Sequence, residues 1–388
     1  MGASNSGALI PAKPAATRAA RLKVWLGDQL LAQHDRWRLW APVAYGGGAA
    51  LYFALLEEPP FWPLALMAVA ATGVWVATRR LGFGRAVTVP LMILACFALG
   101  LAAAKHRAIR IAEPITPALV EPTVVEGWVV DVDSAGANGA RVILAPVRVR
   151  GLDPEQTPIR LRATVRGEPP PPGSAVGLNA FRYELASRIV ERLGAESGAI
   201  AAAMTTGHET WISEEQTQVM RDSGLAHIIS ISGLHMAIVG GFVFFAVRLG
   251  VAAWPWMALR VSSKKAAAWA GLIAVSGYLL ISGGPPAAER AAVTASVAFI
   301  AILLDRRAIS MNALAVAALI VLTLRPESIV QPGFQMSFAA TAALVALAEA
   351  WPKRTKPISL PLPLAAIQKM GGWLVAAGAA SLVAGLAT

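Results

Sequence analysis

The stretch GLAHIISISGLHMAIVGG, from Gly224 to Gly241, has the apolar composition of a membrane span but contains two histidines and two serines. An unpaired polar group in hydrocarbon costs several kcal/mol. Polar side chains in spans therefore usually face other helices or a water-filled path. The stretch predicts a membrane-embedded helix with polar neighbours, and the remaining sequence decides which neighbours these are.

The composition of the whole chain predicts a polytopic α-helical membrane protein. Of its 388 residues, 56% are hydrophobic and 15% are charged, and the mean hydropathy is +0.57. The single cysteine, Cys96, excludes a disulfide framework within the chain and is interpreted as a small core residue. The sequence predicts no cofactor and no metal site. Apolar runs occur at about 41–56, 61–78, 86–104, 226–249, 266–282, 288–304, 309–324, 333–350 and 371–388.

These runs divide the chain into five predicted parts. A basic leader at 1–40, without the layout of a cleavable signal, precedes three membrane helices at 41–104. A β-rich domain at 105–180 and amphipathic interfacial helices at 181–225 follow, and a second membrane domain occupies 226–388. Because the sequence ends inside an apolar run, we expect a fragment or a truncated product.

Lysines and arginines in the short loops predict the orientation of these helices. Positive charges near spans favour the cytoplasmic side. This rule places the N-terminus on the cytoplasmic side of the membrane and the β-rich insert on the opposite side. The charges that agree with it are Arg36, Arg38, Arg79, Arg80, Arg85, Arg248, Arg260, Lys264, Lys265, Arg306, Arg307, Lys353, Arg354 and Lys356.

The insert contains arginines that alternate with apolar residues, as in a half-buried β-strand. In PIRLRATVRG, Arg160, Arg162 and Arg166 occupy one face, and Arg148 and Arg150 repeat the pattern in PVRVRG. Together with the aromatic Trp128, these strands favour an OB-like barrel that follows a phosphate backbone and stacks bases. The alternative is the solvated face of a small β-domain.

Three segments carry a resemblance to a known family: MRDSGLAHIISISGLHMAIV, SGGPPAAERAAVTASV and LRPESIVQPGFQMSFAATAAL. Together they resemble the ComEC-type competence proteins, which are inner-membrane DNA-uptake channels. The resemblance implies that single-stranded DNA crosses into the cytoplasm during natural transformation. It also implies membrane lipid, a periplasmic DNA receptor and a cytoplasmic ATP-driven translocase as partners, while homo-oligomerisation stays open.

The sequence departs from that family in two respects. Family members commonly carry a metallo-β-lactamase-like domain, whereas the five histidines here form no HxHxDH cluster, so we expect a channel and not an enzyme. Family members also have a longer stretch after PPPPGSAVGLNA, so the OB-like barrel is expected to be incomplete. This shortening weakens the prediction that the arginines of the insert bind DNA.

Several polar residues of the membrane domain are candidates for lining the channel. A wetted conduit needs donors and irregular backbone at membrane depth. The alternative is hydrogen-bonding between packed helices, or snorkelling to lipid headgroups in the case of Arg290. The candidates are His227, Ser230, Ser232, Gly233, His235, Arg290, Gln335 and Ser337.

Two further functions stay open from the residues alone. One is transport of a smaller anionic solute or lipid through the same broken helices. The other is intramembrane hydrolysis by Ser232 and His235 with Asp222, because a nucleophile needs a neighbouring base. A metal site at His227 and His235 is not favoured, because residues eight apart lie about 80° apart around a helix.

Overall fold

A computed structural model describes residues 36–112, 124–136, 139–152, 157–165, 177–223 and 231–350, together with 378 and 385. The predictions for the leader before Arg36, for Arg166, for His227 and Ser230, and for most of the last apolar run lie outside these residues.

Three helices form the first membrane segment. They are α1 at Trp40–Ala54, α2 at Phe61–Arg80 and α3 at Arg85–Ile111. Helices α1 and α3 approach each other through glycine: a Cβ on Gly48 would overlap the Phe97 carbonyl, and one on Gly100 would overlap the Tyr45 carbonyl. Backbone therefore packs directly on backbone, as small residues allow between membrane helices.

The insert contains a three-stranded antiparallel sheet in the order β1-β2-β3. The strands are β1 at Val125–Gly136, β2 at Gly139–Val149 and β3 at Leu161–Val165. Val132 and Val142 lie opposite each other and are both buried, and Ala163 continues the row. An OB-fold has five strands. Because the described part of the insert holds three, the OB-like barrel stays a prediction.

Three helices connect the sheet to the second membrane domain, in the region predicted to be amphipathic. They are α4 at Gly177–Leu193, α5 at Ala195–Thr206 and α6 at Glu214–Asp222. Helix α6 begins with a capping box, because the Ser213 Oγ accepts from the Gln216 N–H and the Gln216 side chain accepts from the Ser213 N–H. A serine followed three residues later by glutamine predicts such a cap, and the structure confirms this prediction.

The second membrane domain has six helices in the described residues. Ile231 and Met236, at the start of the first, are buried against Val275 and Ala292. Cys96 of α3 is half-buried beside Tyr45 and Phe334, as expected for a core residue. The helices are α7 at Gly233–Ala253, α8 at Pro255–Arg260, α9 at Ser263–Ile281, α10 at Pro286–Leu303, α11 at Met311–Leu324 and α12 at Pro332–Ala350.

Six of the described helices are long and apolar enough to cross a membrane, namely α2, α3, α7, α9, α10 and α12. The chain is therefore a polytopic helical membrane protein. Two predicted spans form shorter helices: α1 has 15 residues, and α11 has 14 before a 3-10 turn at Pro326–Val330. A 14-residue helix is about 21 Å long, which is less than a hydrocarbon core of about 30 Å.

Ion pairs identify the two ends of the helix bundle. At the end that carries the sheet, the insert end, ion pairs connect helix termini and loops that are far apart in sequence. Other ion pairs lie at the opposite end of the bundle, because consecutive membrane helices run in alternating directions. Which end faces the cytoplasm stays a prediction. The insert-end pairs are Glu58–Lys105, Arg107–Glu327 and Glu289–Arg325, and the opposite-end pairs are Arg36–Glu349 and Lys265–Asp305.

Candidate functional site at the insert end

Ser232 and His235 begin helix α7. Ser232 is the N-cap residue, and its backbone N–H donates to His235 Nδ1 over 3.1 Å. The Ser232 Oγ lies 3.0 Å from the same nitrogen. Because a backbone N–H can only donate, Nδ1 must be unprotonated, and His235 occupies the position that Glu or Gln usually has in a capping box. Ser232 and His235 thus satisfy polar groups of a helix terminus inside an apolar domain.

The start of α7 packs against the start of α10, which carries Arg290. A Cβ on Gly233 would lie 3.6 Å from the Ala291 Cβ, which is ordinary contact. Ile231 and Met236 share a buried cluster with Ala288 and Ala292 on both sides of Arg290 along α10. Two of the three segments that carry the family resemblance therefore meet at the insert end.

A cavity of about 370 Å³ opens at this end between α3, α9, α10 and α11. Its wall combines an apolar part with charged side chains. The apolar part is formed by Leu279, Pro286, Val293, Val321 and Leu324, and the polar part by Arg107, Glu289, Arg290, Arg325 and Ser328. Charged groups at membrane depth usually face a wetted cavity or one another, and here they do both.

The guanidinium of Arg290 is the positive charge of this cavity without a carboxylate partner in the described residues. Arg325 donates to Glu289 over 2.6 Å, and Arg107 donates to Glu327 over 3.2 Å. Arg290 Nη2 donates to the Gly333 carbonyl over 3.3 Å, while its buried Nε has no partner there. Three arginines and two glutamates leave one excess positive charge, with donors free for an anion.

Gln335 and Ser337 lie on α12, and neither is among the residues that line the cavity. Gln335 Nε2 donates to the Ile329 carbonyl over 2.8 Å and so holds the 3-10 turn against the start of α12. Ser337 is exposed, and its carbonyl accepts from Thr341 within the helix. Both residues stay candidates for the path, but Gln335 already has a structural partner.

The arginines of the sheet are exposed as the alternation predicted. Arg148 and Arg150 flank the buried Val149, and Arg162 lies between the half-buried Leu161 and Ala163. The exposed Arg160 precedes β3, and Trp128 on β1 is 61% exposed. These side chains lie on the outside of the insert, where a ligand could reach them.

The pairing of the strands places the arginines of the sheet at different positions, and one of them lies opposite a carboxylate. Arg148 lies opposite Glu126 on β1, whereas Arg162 lies opposite Ile143. Arg148 lies five positions after Ile143 on β2, which corresponds to about 17 Å along the strand. The arginines therefore form two separate groups, one of which faces a carboxylate.

The charged neighbours of Arg290 in the cavity were not among the residues predicted from the sequence. Arg107, Glu289, Arg325 and Glu327 all lie at the ends of predicted spans, and Arg107 and Glu327 are 220 residues apart in sequence. The available signal was an acidic residue beside an arginine at two span ends, in the sequences ER and RPE. Charges of both signs at the same predicted membrane side could have indicated ion pairs.

Comparisons with known proteins identify a family domain in the second half of the chain. Residues 204–388 match the family model described as Competence protein. A stretch of 167 residues, 43% of this chain, is 27% identical to ComE operon protein 3 from Bacillus subtilis (strain 168) and covers 20% of that relative. No solved structure gives a significant match. The resemblance seen in the sequence is confirmed: the Competence domain at residues 204–388 and this relative both support a ComEC-type competence protein.

Proposed function

We propose that this chain is a component of an inner-membrane channel that carries single-stranded DNA into the cytoplasm during natural transformation. The observation that carries the proposal is the position of Arg290, which lies within the matched residues 204–388 and lines the cavity; among the described residues, its guanidinium has no carboxylate partner and its buried Nε has no hydrogen-bond partner. The relative named ComE operon protein 3 supports the same role, in the part of its length that the chain covers.

The chemistry of the cavity suits a phosphodiester. A DNA strand carries one negative charge per nucleotide, and each charge must be compensated when it leaves water. A guanidinium presents several N–H donors in a plane and binds phosphate oxygens strongly. Arg290 would receive a phosphate, while the Glu289–Arg325 and Arg107–Glu327 pairs keep the wall wetted without adding net charge.

The insert would meet the strand before it reaches the cavity. Trp128 offers a surface for stacking a base, and Arg160 and Arg162 offer charges for the backbone. Arg148 contributes less because Glu126 lies opposite it. Outside the chain, the proposal requires a periplasmic DNA receptor and a cytoplasmic ATP-driven translocase.

A transporter of a smaller anionic solute or lipid is the second candidate, and the size of the cavity favours it. A volume of about 370 Å³ is at the lower end of the range for sites that hold one small molecule. The hydrolase has no such support, because His235 Nδ1 already accepts a backbone N–H at the helix cap. A Ser232→Ala variant that loses turnover of a substrate would revive it.

The test is fluorescent DNA uptake in a competent host that carries Arg290→Gln in the full-length gene. Periplasmic and cytosolic DNA are scored separately, with membrane levels of the protein measured in parallel. We expect DNA to reach the periplasm and cytosolic DNA to fall at least tenfold, because losing one charge-assisted hydrogen bond costs about 1.5–3 kcal/mol.

Arg36→Gln is the matched control, because Arg36 pairs with Glu349 at the opposite end of the bundle and is largely exposed. It should leave delivery unchanged. Normal cytosolic delivery by the Arg290 variant would contradict the proposal. Normal DNA delivery together with lost uptake of a small phosphate compound would favour the second candidate.

A further inference from the structure

A buried polar cluster lies where the insert meets the second membrane domain. It consists of Asp131 on β1, Arg182 on α4, Thr206 at the end of α5 and His208 just after it, and is called the joint below. His208 is 1% exposed and Arg182 5% exposed, so water reaches neither side chain freely. Buried charges persist only where partners compensate them. The contacts of each group therefore reveal its charge.

Arg182 holds together the C-terminal ends of two helices. Its Nη2 donates to the Thr206 carbonyl over 2.8 Å, at the end of α5, and its Nε donates to the Ile281 carbonyl over 2.9 Å, at the end of α9. Both carbonyls belong to the negative ends of helix dipoles, where a cation is favoured. Nη1 reaches Asp131 Oδ2 over 3.5 Å. One guanidinium thus connects the sheet, α5 and the membrane helix α9.

The backbone at this place is shaped around that guanidinium. Gly207 and Gly283 have φ angles of +77° and +75°, which side chains other than glycine rarely adopt. A Cβ on Gly283 would overlap the Arg182 guanidinium, and one on Gly207 would lie 2.5 Å from the Ser282 carbonyl oxygen. The two turns therefore close on Arg182 without space for a substituent.

Both ring nitrogens of His208 face groups that can only accept. The Thr206 hydroxyl donates its single hydrogen to the Ala202 carbonyl over 2.9 Å, so toward His208 Nδ1, 3.1 Å away, it can only accept. His208 Nε2 lies 3.3 Å from Asp131 Oδ1, a carboxylate oxygen. Both nitrogens must then carry a proton, which makes the ring an imidazolium.

The surrounding charges agree with a cationic ring. Burial raises the pKa of the Asp131 carboxyl, but the His208 hydrogen bond and the positive charge of Arg182 outweigh it, so this pKa lies below its usual value. Burial alone raises the pKa of the neighbouring Glu209. The rings of Tyr183 and Trp211 enclose the other sides of His208. Asp131 and the two helix ends thus balance the charges of Arg182 and His208.

We propose that His208 is a buried imidazolium that fastens strand β1 to the end of α5, and that the joint thereby sets the position of the insert over the insert end of the bundle. Loss of the proton removes one N–H donor and leaves a lone pair facing either Thr206 or Asp131. This inference does not depend on DNA being the ligand.

The test compares Thr206→Val with Thr206→Ser in the full chain in lipid nanodiscs, with ¹⁵N-labelled histidine. Valine keeps the shape of threonine but removes the acceptor for Nδ1, whereas serine restores it. We expect two N–H signals from His208 at about pH 7 in the unmodified chain and in Thr206→Ser, and one in Thr206→Val. The His208 signals are assigned from their loss in His208→Gln.

Hydrogen exchange of the β1 amides measures the mechanical consequence. Exchange should be about tenfold faster in Thr206→Val than in Thr206→Ser, because valine removes the acceptor of His208 Nδ1. A neutral ring in the unmodified chain would overturn the proposal, and so would equal protection of β1 in the two variants. Neither measurement uses DNA, so the result is separate from that of the uptake assay.

Discussion

Replacing Arg182 by methionine should destabilise the chain by about 3 kcal/mol, because the change removes a buried charge and keeps most of its volume. Two helix-terminal carbonyls, those of Thr206 and Ile281, would lose their guanidinium donor. Each buried acceptor left without a partner costs about 1–3 kcal/mol. Asp131 keeps its hydrogen bonds to His208 and to the Val132 N–H, so losing its contact with Arg182 adds little to the free-energy cost. The sum also falls within the range of about 3–5 kcal/mol for breaking a buried ion pair.

The matched control lies six residues along the same helix. Arg188 pairs with Glu184, but the two side chains are 65% and 59% exposed. An exposed helix pair contributes only about 0.3–0.5 kcal/mol. Equilibrium unfolding of Arg182→Met and Arg188→Met in mixed detergent micelles should therefore separate them by more than about 2 kcal/mol. Equal unfolding midpoints would refute the assignment of Arg182 as the residue that holds the helix ends.

Three further outcomes follow from other contacts. Because the pKa of Asp131 is lowered in the folded chain, its contribution to stability is complete above the ordinary pKa of 3.8 and is lost as the pH falls through the lower folded pKa. Proteolysis of the insert should therefore become faster at acid pH, and Asp131→Asn should remove this pH dependence. His235→Ala should destabilise the start of α7 by about 0.5–2 kcal/mol in hydrogen exchange, while His235→Gln should preserve the cap, and equal exchange in both would contradict the capping role. Gly48→Ala should cost about 1–3 kcal/mol because its Cβ overlaps the Phe97 carbonyl, whereas in Gly47→Ala the Cβ meets only the Phe97 ring at 3.7 Å; similar unfolding of the two variants would count against the close approach of α1 and α3.

Local features of the fold could be predicted from the sequence. Hydropathy located the long helices, the Ser213 cap formed as expected, and the arginines at 148, 150 and 162 are exposed by alternation. These features depend on residues a few positions apart, whose geometry is fixed by the helix or the strand itself. The cap of α7 at Ser232 could not be predicted, because apolar composition does not reveal a cap within an apolar run.

The features that could not be predicted depend on contacts between distant segments. The sequence around His208 indicates only a loop or a helix end, and α5 does end at Thr206. Its burial and charge depend on Asp131, 77 residues away, and on the packing of the sheet against α4. The excess charge of Arg290 depends in the same way on which glutamates meet which arginines. Hydrophobic patterns specify burial but not these pairings.

The depth of Arg290 along α10 has an electrical consequence. Arg290 is the fifth of 18 residues, so it lies about 6 Å below the start of the helix, roughly a fifth of a hydrocarbon core of about 30 Å. Moving one elementary charge across the full membrane changes its electrical energy by about 2.3 kcal/mol per 100 mV of membrane potential. In the proposed orientation the cell interior is negative. Moving one phosphate charge inward to Arg290 would therefore cost about 0.5 kcal/mol per 100 mV of membrane potential. Occupancy of the cavity should therefore decrease as the membrane becomes more strongly polarised.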